Sequence, residues 1–325
     1  MKQNRNPLQA YYSHCLKVDL KSAIRALKID SKNGNSTVLR VRRRVLSRFV
    51  RANEKTLVHS DDQFVRELVH LYRNYYRRVL LSPTANKELE RQLQGDLRRL
   101  LHSCRLEIGA RPTWADLERR LAKELTRRGY FSLLGRVSPF RSLLIWSKQV
   151  EKKFKVRLVS EKILVTVVLL DKFVELGWLH YATFGRWYVG GWAKKDSLFC
   201  VSQAYKRKFN SEAFRVSYLT HEGQHFSDYR KFPNLKQADL EYRAKLAEMI
   251  ESKKPTRLLN KFGSEAKDDR STPHCFASHR ITEGVKNSKK LNKMHISLNS
   301  LSKNMLLAHT QKLKSQGSKT TKGVL

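Results

Sequence analysis

Two histidines four residues apart with a glutamate beside the first, His221-Glu222-Gly223-Gln224-His225, have the clearest capacity for chemistry in this sequence. On an α-helix, positions i and i+4 stack one turn apart on one face, so two imidazoles can reach one Zn²⁺ at about 2.0–2.1 Å. Glu222 then sits beside the ion. A carboxylate there can take the proton of a metal-activated water as it attacks a carbonyl, and return it to the leaving amine.

Catalytic zinc sites of this kind take three protein ligands and leave the fourth position to water. A second helix is expected over Gln237 to Glu248, with Leu240, Ala244 and Ala247 on its packed face and Glu241 at the border. The first helix runs about five residues past His225 to Arg230, the chain turns through Phe232-Pro233-Asn234, and Glu241 lies about five residues into the second helix. An antiparallel pair therefore sets Glu241 level with His225, as the third ligand. Asp228, one turn beyond His225, is an alternative ligand or an acceptor for a ligand N–H, and Glu248 serves if the second helix is displaced. The reaction also needs a donor to the developing oxyanion. His274, in the run Pro273 to Arg280, is the expected source, with His279, Arg243 and Tyr242 as alternatives.

The elements around these residues follow from periodicity. Ser60-Asp61-Asp62-Gln63 reads as a capping box opening a helix with Phe64, Leu68, Tyr72, Tyr75 and Val79 on one face, closed by Pro83. Leu89, Leu93, Leu97, Leu100 and Cys104 form a second stripe, and Leu117, Leu121 and Leu125 a third, between Thr113 and Gly129. Val38, Val41, Val45 and Phe49 make another stripe, surrounded by Arg40, Arg42, Arg43, Arg44, Arg48 and Arg51. That arginine face is either solvated or laid on phosphates. Strands are expected from Phe154 onward, through Ile163 to Leu170, and again from Trp187 to Val201. Gly190-Gly191 beside Trp192 permits either close approach of a substrate backbone or a plain tight turn. The helix carrying His221 is capped by Asn210 or Ser211, and a terminal helix is expected over residues 296–313.

With these elements in place, residues 162–251 resemble the gluzincins, zinc metallopeptidases with HExxH on one helix and a glutamate ligand on the next. The resemblance implies His221, His225 and Glu241 as zinc ligands, Glu222 as general base, and the segment Trp192 to Val201 as a substrate-binding edge strand. Gluzincins often carry Asp four residues after the ligand Glu, where this chain has Lys245. The metzincin pattern needs Gly at 228 and His at 231, and this chain has Asp228 and Lys231.

Composition bounds the remaining readings. The 325 residues include 66 Lys and Arg against 29 Asp and Glu, a net +37, and 40% hydrophobic residues, enough for a core. Four dispersed cysteines, with no CxxC pair, indicate neither a disulfide framework nor a thiolate zinc site. The N-terminal stretch lacks an apolar segment of signal-peptide length, and the run Ile163 to Leu170 is far short of a membrane span, so a cytoplasmic location is expected. The charge favours acidic substrates or a polyanionic partner.

The expected architecture is α+β. It comprises a helical region over residues 1–150, a zincin-like catalytic region with a small antiparallel sheet over 154–315, and a mobile tail over 316–325. The expected function is hydrolysis of a peptide or amide bond in a peptide or protein substrate by zinc-bound water. The alternative is a basic nucleic-acid-associated protein whose zinc site is structural, degenerate or absent.

Overall fold

The computed structural model describes residues 6–27, 36–54, 57–106, 109, 112–137, 139–290 and 296–321. The chain is mixed α and β, and it divides into two compact units. The first comprises Met1–Lys148 and Asp171–Val189, the second Gln149–Leu170 and Gly190–Leu325.

The first unit holds helices α1 (Pro7–Leu16), α2 (Leu20–Ala26), α3 (Ser36–Val45), α4 (Gln63–Leu81), α5 (Asn86–Ser103), α6 (Trp114–Arg127) and α7 (Gly177–Ala182). A π-helical turn, Leu46–Val50, continues α3. The expected stripes form its core: Leu68, Tyr72, Tyr76 and Val79 of α4 join Leu93 and Leu97 of α5 and Leu117, Leu121 and Leu125 of α6. Thr113 and Asp116 cap α6 reciprocally, each side chain accepting from the other's backbone N–H. The α4 cap differs from expectation. Asp62 accepts from the Val65 N–H at 3.0 Å, whereas Ser60 accepts from the Asp62 N–H, and Gln63 bonds forward to Glu67. Asp62 also receives Arg128 at 2.8 Å, a contact the local pattern could not show.

Strands begin earlier than the alternation at Phe154 suggests. β1 (Phe131–Val137) pairs antiparallel with β2 (Phe140–Arg157), from Phe131 opposite Trp146 to Val137 opposite Phe140. In β2 the run Leu143 to Trp146 is buried on both faces, so it shows no period of two. A tight turn, in which the Leu158 N–H bonds to the Glu161 carbonyl, leads into β3 (Lys162–Leu176). Both long strands contribute residues to both units. The single boundary expected near residue 150 is therefore replaced by three crossings of the chain.

β4 (Gly191–Ala193) and β5 (Leu198–Val201) complete a sheet of order β1-β2-β3-β5-β4. β5 runs parallel to β3, with Val167 opposite Leu198, because the intervening α7 segment returns the chain to run in the same direction. The sheet is therefore mixed, not the purely antiparallel one expected. In the second unit, Val156, Ile163, Val165 and Val167 pack with Leu198, Phe214, Tyr218 and Phe226.

The second unit continues with α8 (Glu212–Phe214), α9 (His221–Lys231), α10 (Gln237–Glu251), α11 (Pro255–Glu265), α12 (Pro273–Lys290) and α13 (Leu298–Thr321). Tyr242, Leu246 and Met249 of α10 meet Phe262, Ile281 and Leu306 in a further core cluster. Of the expected mobile tail, residues 316–321 belong to α13, and 322–325 lie outside the described residues. No described helix is long and apolar enough to cross a membrane.

Candidate metal centre

Ser211, not Asn210, caps the approach to the site, accepting from the Phe214 N–H. The helix is not continuous from there. A π-helical turn, Arg215–Thr220, intervenes before α9, a local widening that recurs at functional sites. The turn buries Tyr218 where Gly191 leaves room: a Cβ on Gly191 would overlap the Tyr218 ring and the Phe199 carbonyl. The packing of Tyr218 thus explains this glycine. Gly223, inside the HExxH segment, faces the sheet, where a Cβ would come 3.0 Å from Val156.

α9 and α10 form the expected pair, and their register is locked by a buried ion pair. Arg243 makes two bonds to the Asp228 carboxylate, at 2.8 and 3.0 Å, and a third to Thr310. Asp228 is fully buried and also receives Gln224 at 2.9 Å. It is therefore neither a metal ligand nor an acceptor for a histidine, the two roles open to it in the sequence, and Arg243 is not free as an oxyanion donor.

One turn along from this brace, His221, His225 and Glu241 converge. All three are buried, and one donor atom from each lies within 4.8 Å of the others. The two histidine Nε2 atoms are 3.1 Å apart; Glu241 lies 3.4 Å from His221 Nε2 and 3.6 Å from His225 Nε2, through different carboxylate oxygens. Ligands at 2.0–2.1 Å in tetrahedral array sit roughly 3.3–3.4 Å from one another. Two imidazoles and one carboxylate at these separations fit Zn²⁺ in ligand type and spacing.

The surrounding groups tune this cluster. His221 Nδ1 bonds Glu248 at 2.7 Å, the arrangement that fixes the tautomer and orientation of a ligating histidine. Burial would make His221 harder to protonate, but Glu241 and Glu248 outweigh it and raise its pKa to about 10. Burial likewise opposes ionisation of Glu241, yet His274, His225 and His221 hold its carboxyl well below the usual range. Glu248 is held down through His221 against the same cost. His225 Nδ1 is buried with no partner among the described residues.

Glu222 differs from the other two glutamates. It is buried, at 8% exposure, no described side chain hydrogen-bonds it, and burial raises its pKa above the usual carboxyl value despite the nearby histidines. A buried carboxyl with raised proton affinity, beside three side chains that could hold a metal, has the properties a general base needs.

His274, the second residue of α12, joins the cluster from the exposed side, with Nδ1 2.8 Å from Glu241 Oε2 and its ring stacked 6.3 Å from that of His221. The alternatives do not join it: His279 is 4.0 Å from Asp268, and Tyr242 packs beneath Arg280. Sequence reasoning missed two participants. Glu248 holds the His221 ring, where the sequence offered it only as a ligand itself, although a spacing of seven from Glu241 places both on one helical face. Tyr229, four residues after His225, lies along that histidine with ring centroids 6.3 Å apart, and the i, i+4, i+8 spacing from His221 was the available signal. The expected edge strand is shorter than its segment. Only β4 is at the edge, and β5 is interior. Lys245, where gluzincins often place Asp, is buried over the Phe262 ring and 3.6 Å from Glu265.

No protein-family model, curated protein or solved structure matches this chain.

Proposed function

We propose that this protein is a zinc-dependent hydrolase of peptide or amide bonds, with His221, His225 and Glu241 as metal ligands and Glu222 as general base. The observation that carries the proposal is the meeting of three buried donors from two helices beside Glu222, a buried carboxyl with no described hydrogen bond. Zinc held there would polarise the scissile carbonyl and make a water acidic enough to lose its proton near neutral pH.

The chain's own residues supply the rest. Glu222 takes a proton onto its carboxylate and returns it to the leaving amine, and its raised proton affinity lets it hold that proton between the two steps. Glu248 fixes the His221 ring. The Asp228–Arg243 pair holds α9 and α10 in the register that brings Glu241 to both histidines. His274 keeps Nδ1 on Glu241 and offers its second ring nitrogen to the oxyanion of the substrate. The net charge of +37 favours acidic peptide segments as substrates, a preference that salt would weaken.

Elemental analysis of the purified protein, beside His225→Ala and Glu241→Ala variants checked for folding by circular dichroism, tests the site. The expected result is one zinc per chain, lost in both variants. Glu222→Gln should keep the metal and lose hydrolysis of an unfolded protein substrate. A native protein that takes up no zinc on incubation with the metal would overturn the proposal.

A further inference from the structure

The arginine-rich stripe at the end of α3 has no part in the zinc site, and its side chains are not uniformly solvated. Arg44 and Arg48 line a cavity of about 310 Å³ inside the first unit, together with His59, Arg73, Glu175, His180, Tyr181 and Phe184 among others. That volume lies at the lower end of the range, about 300–1,000 Å³, that small ligands occupy.

Three guanidiniums face two carboxylates here, and the carboxylates are already engaged. Glu54 takes Arg48 through both oxygens. Glu175, with a fully buried side chain, accepts from Arg73 Nε at 2.8 Å and from the backbone N–H groups of Leu176 and Gly177. Several donors are left over. Arg44 has no described hydrogen bond, only a 3.7 Å approach to Glu54 and the Phe184 ring beneath it, Arg73 keeps one terminal nitrogen without a described partner, and neither ring nitrogen of His180 has a described hydrogen bond. Burial pushes His180 down to about 4, and the nearby Arg73 and Arg48 charges add to the shift.

The backbone supports the same reading. Phe184 occupies a left-handed conformation, φ 54°, just past the C-terminus of α7, a position that favours glycine. Its ring is held by two guanidiniums, Arg48 at 4.1 Å and Arg44 at 4.5 Å. Strain of this kind persists where a side chain is needed at one place. Gly185 follows, where a Cβ would come within 3.3 Å of His180 Nε2.

We propose that this cavity binds the phosphate group of a small phosphate ester, held by Arg44, Arg73 and His180. Donors from three separate helices suit a tetrahedral dianion better than a planar carboxylate. A nucleic-acid backbone could reach Arg44, 52% exposed, but not Arg73, whose side chain is only 14% exposed, so a polymer phosphate would not meet all three donors together.

Isothermal titration of the full chain at about 0.15 M ionic strength tests this, with glycerol 3-phosphate and inorganic phosphate as probes, succinate as the carboxylate and a single-stranded oligonucleotide as the polymer. The expected result is one equivalent of phosphate or phosphate ester bound, at least tenfold more weakly in Arg44→Gln and in His180→Gln. Arg44→Gln leaves both buried ion pairs intact, so its fold is not at risk. The control, Arg91→Gln, removes a guanidinium 74% exposed on α5 and should bind as the native chain does. The proposal is overturned by an absence of saturable binding, by equal loss in Arg91→Gln, by succinate binding as well as the esters, or by binding of the oligonucleotide alone.

Discussion

Both units bury carboxylates, and they neutralise them with different chemistry. In the first unit the partners are arginines, Arg73 on Glu175 and Arg48 on Glu54. A guanidinium keeps its charge at every accessible pH, so these pairs are permanent parts of the architecture. In the second unit Glu241 and Glu248 meet histidines, whose charge is a proton that can leave. One turn from that cluster, the same two helices use an arginine, Arg243, for their brace. Fixed charge holds the elements, and removable charge sits where another cation can take its place.

The sharpest way to break this contrast is to remove one of the three proposed zinc ligands. Glu241→Ala should take the metal content from one per chain to none, a larger loss than the 10–100-fold expected of outer-shell changes, read by elemental analysis after dialysis. Next in size is Arg73→Met, which strands the buried Glu175 and should cost about 3–5 kcal/mol in urea unfolding at neutral pH. Because burial raises the Glu175 pKa, the cost should shrink as pH falls and the carboxyl takes up a proton. Glu248→Gln should weaken zinc by about 10–100-fold without changing the fold, measured by competition with a chelator.

A smaller, graded effect separates the two kinds of charge. The metal-free His221 is protonated up to about pH 10, and zinc must displace that proton, so apparent zinc affinity should fall about tenfold per pH unit on acidification below that. The sign reverses for the metal-free fold. A histidine whose pKa is raised by folding stabilises fully below its unfolded value, about 6.5, and that contribution is lost as pH rises through about 10. Thermal melts in chelator should therefore show lower stability at pH 10 than at pH 7 from this group. At the bottom of the scale, Thr113→Ala removes one helix cap and should cost about 1 kcal/mol, with no change in zinc.

Much of this was readable from local pattern. The stripes of α4, α5 and α6 and the Thr113 start of α6 follow from side-chain period and capping chemistry, which act within a few residues. The level of Glu241 with His225 followed from counting residues on either side of a short turn. What escaped was non-local. The start of β2 was missed because burial on both faces erases alternation, and β1, whose residues are all exposed or half-buried, shows no alternation either. Asp228 stayed open as an alternative ligand or an acceptor for a ligand N–H because its partner, Arg243, lies on another helix.

The sequence by itself determined the helical faces and the pairing of α9 with α10, and brought His221, His225 and Glu241 within reach of one another, because helical period and turn length are local properties. Only the tertiary structure decided which carboxylate each cation takes. It gave Asp228 to Arg243, Glu248 to His221 and Glu175 to Arg73, because a buried charge must find its partner in space, and that partner is fixed by packing rather than by distance along the chain.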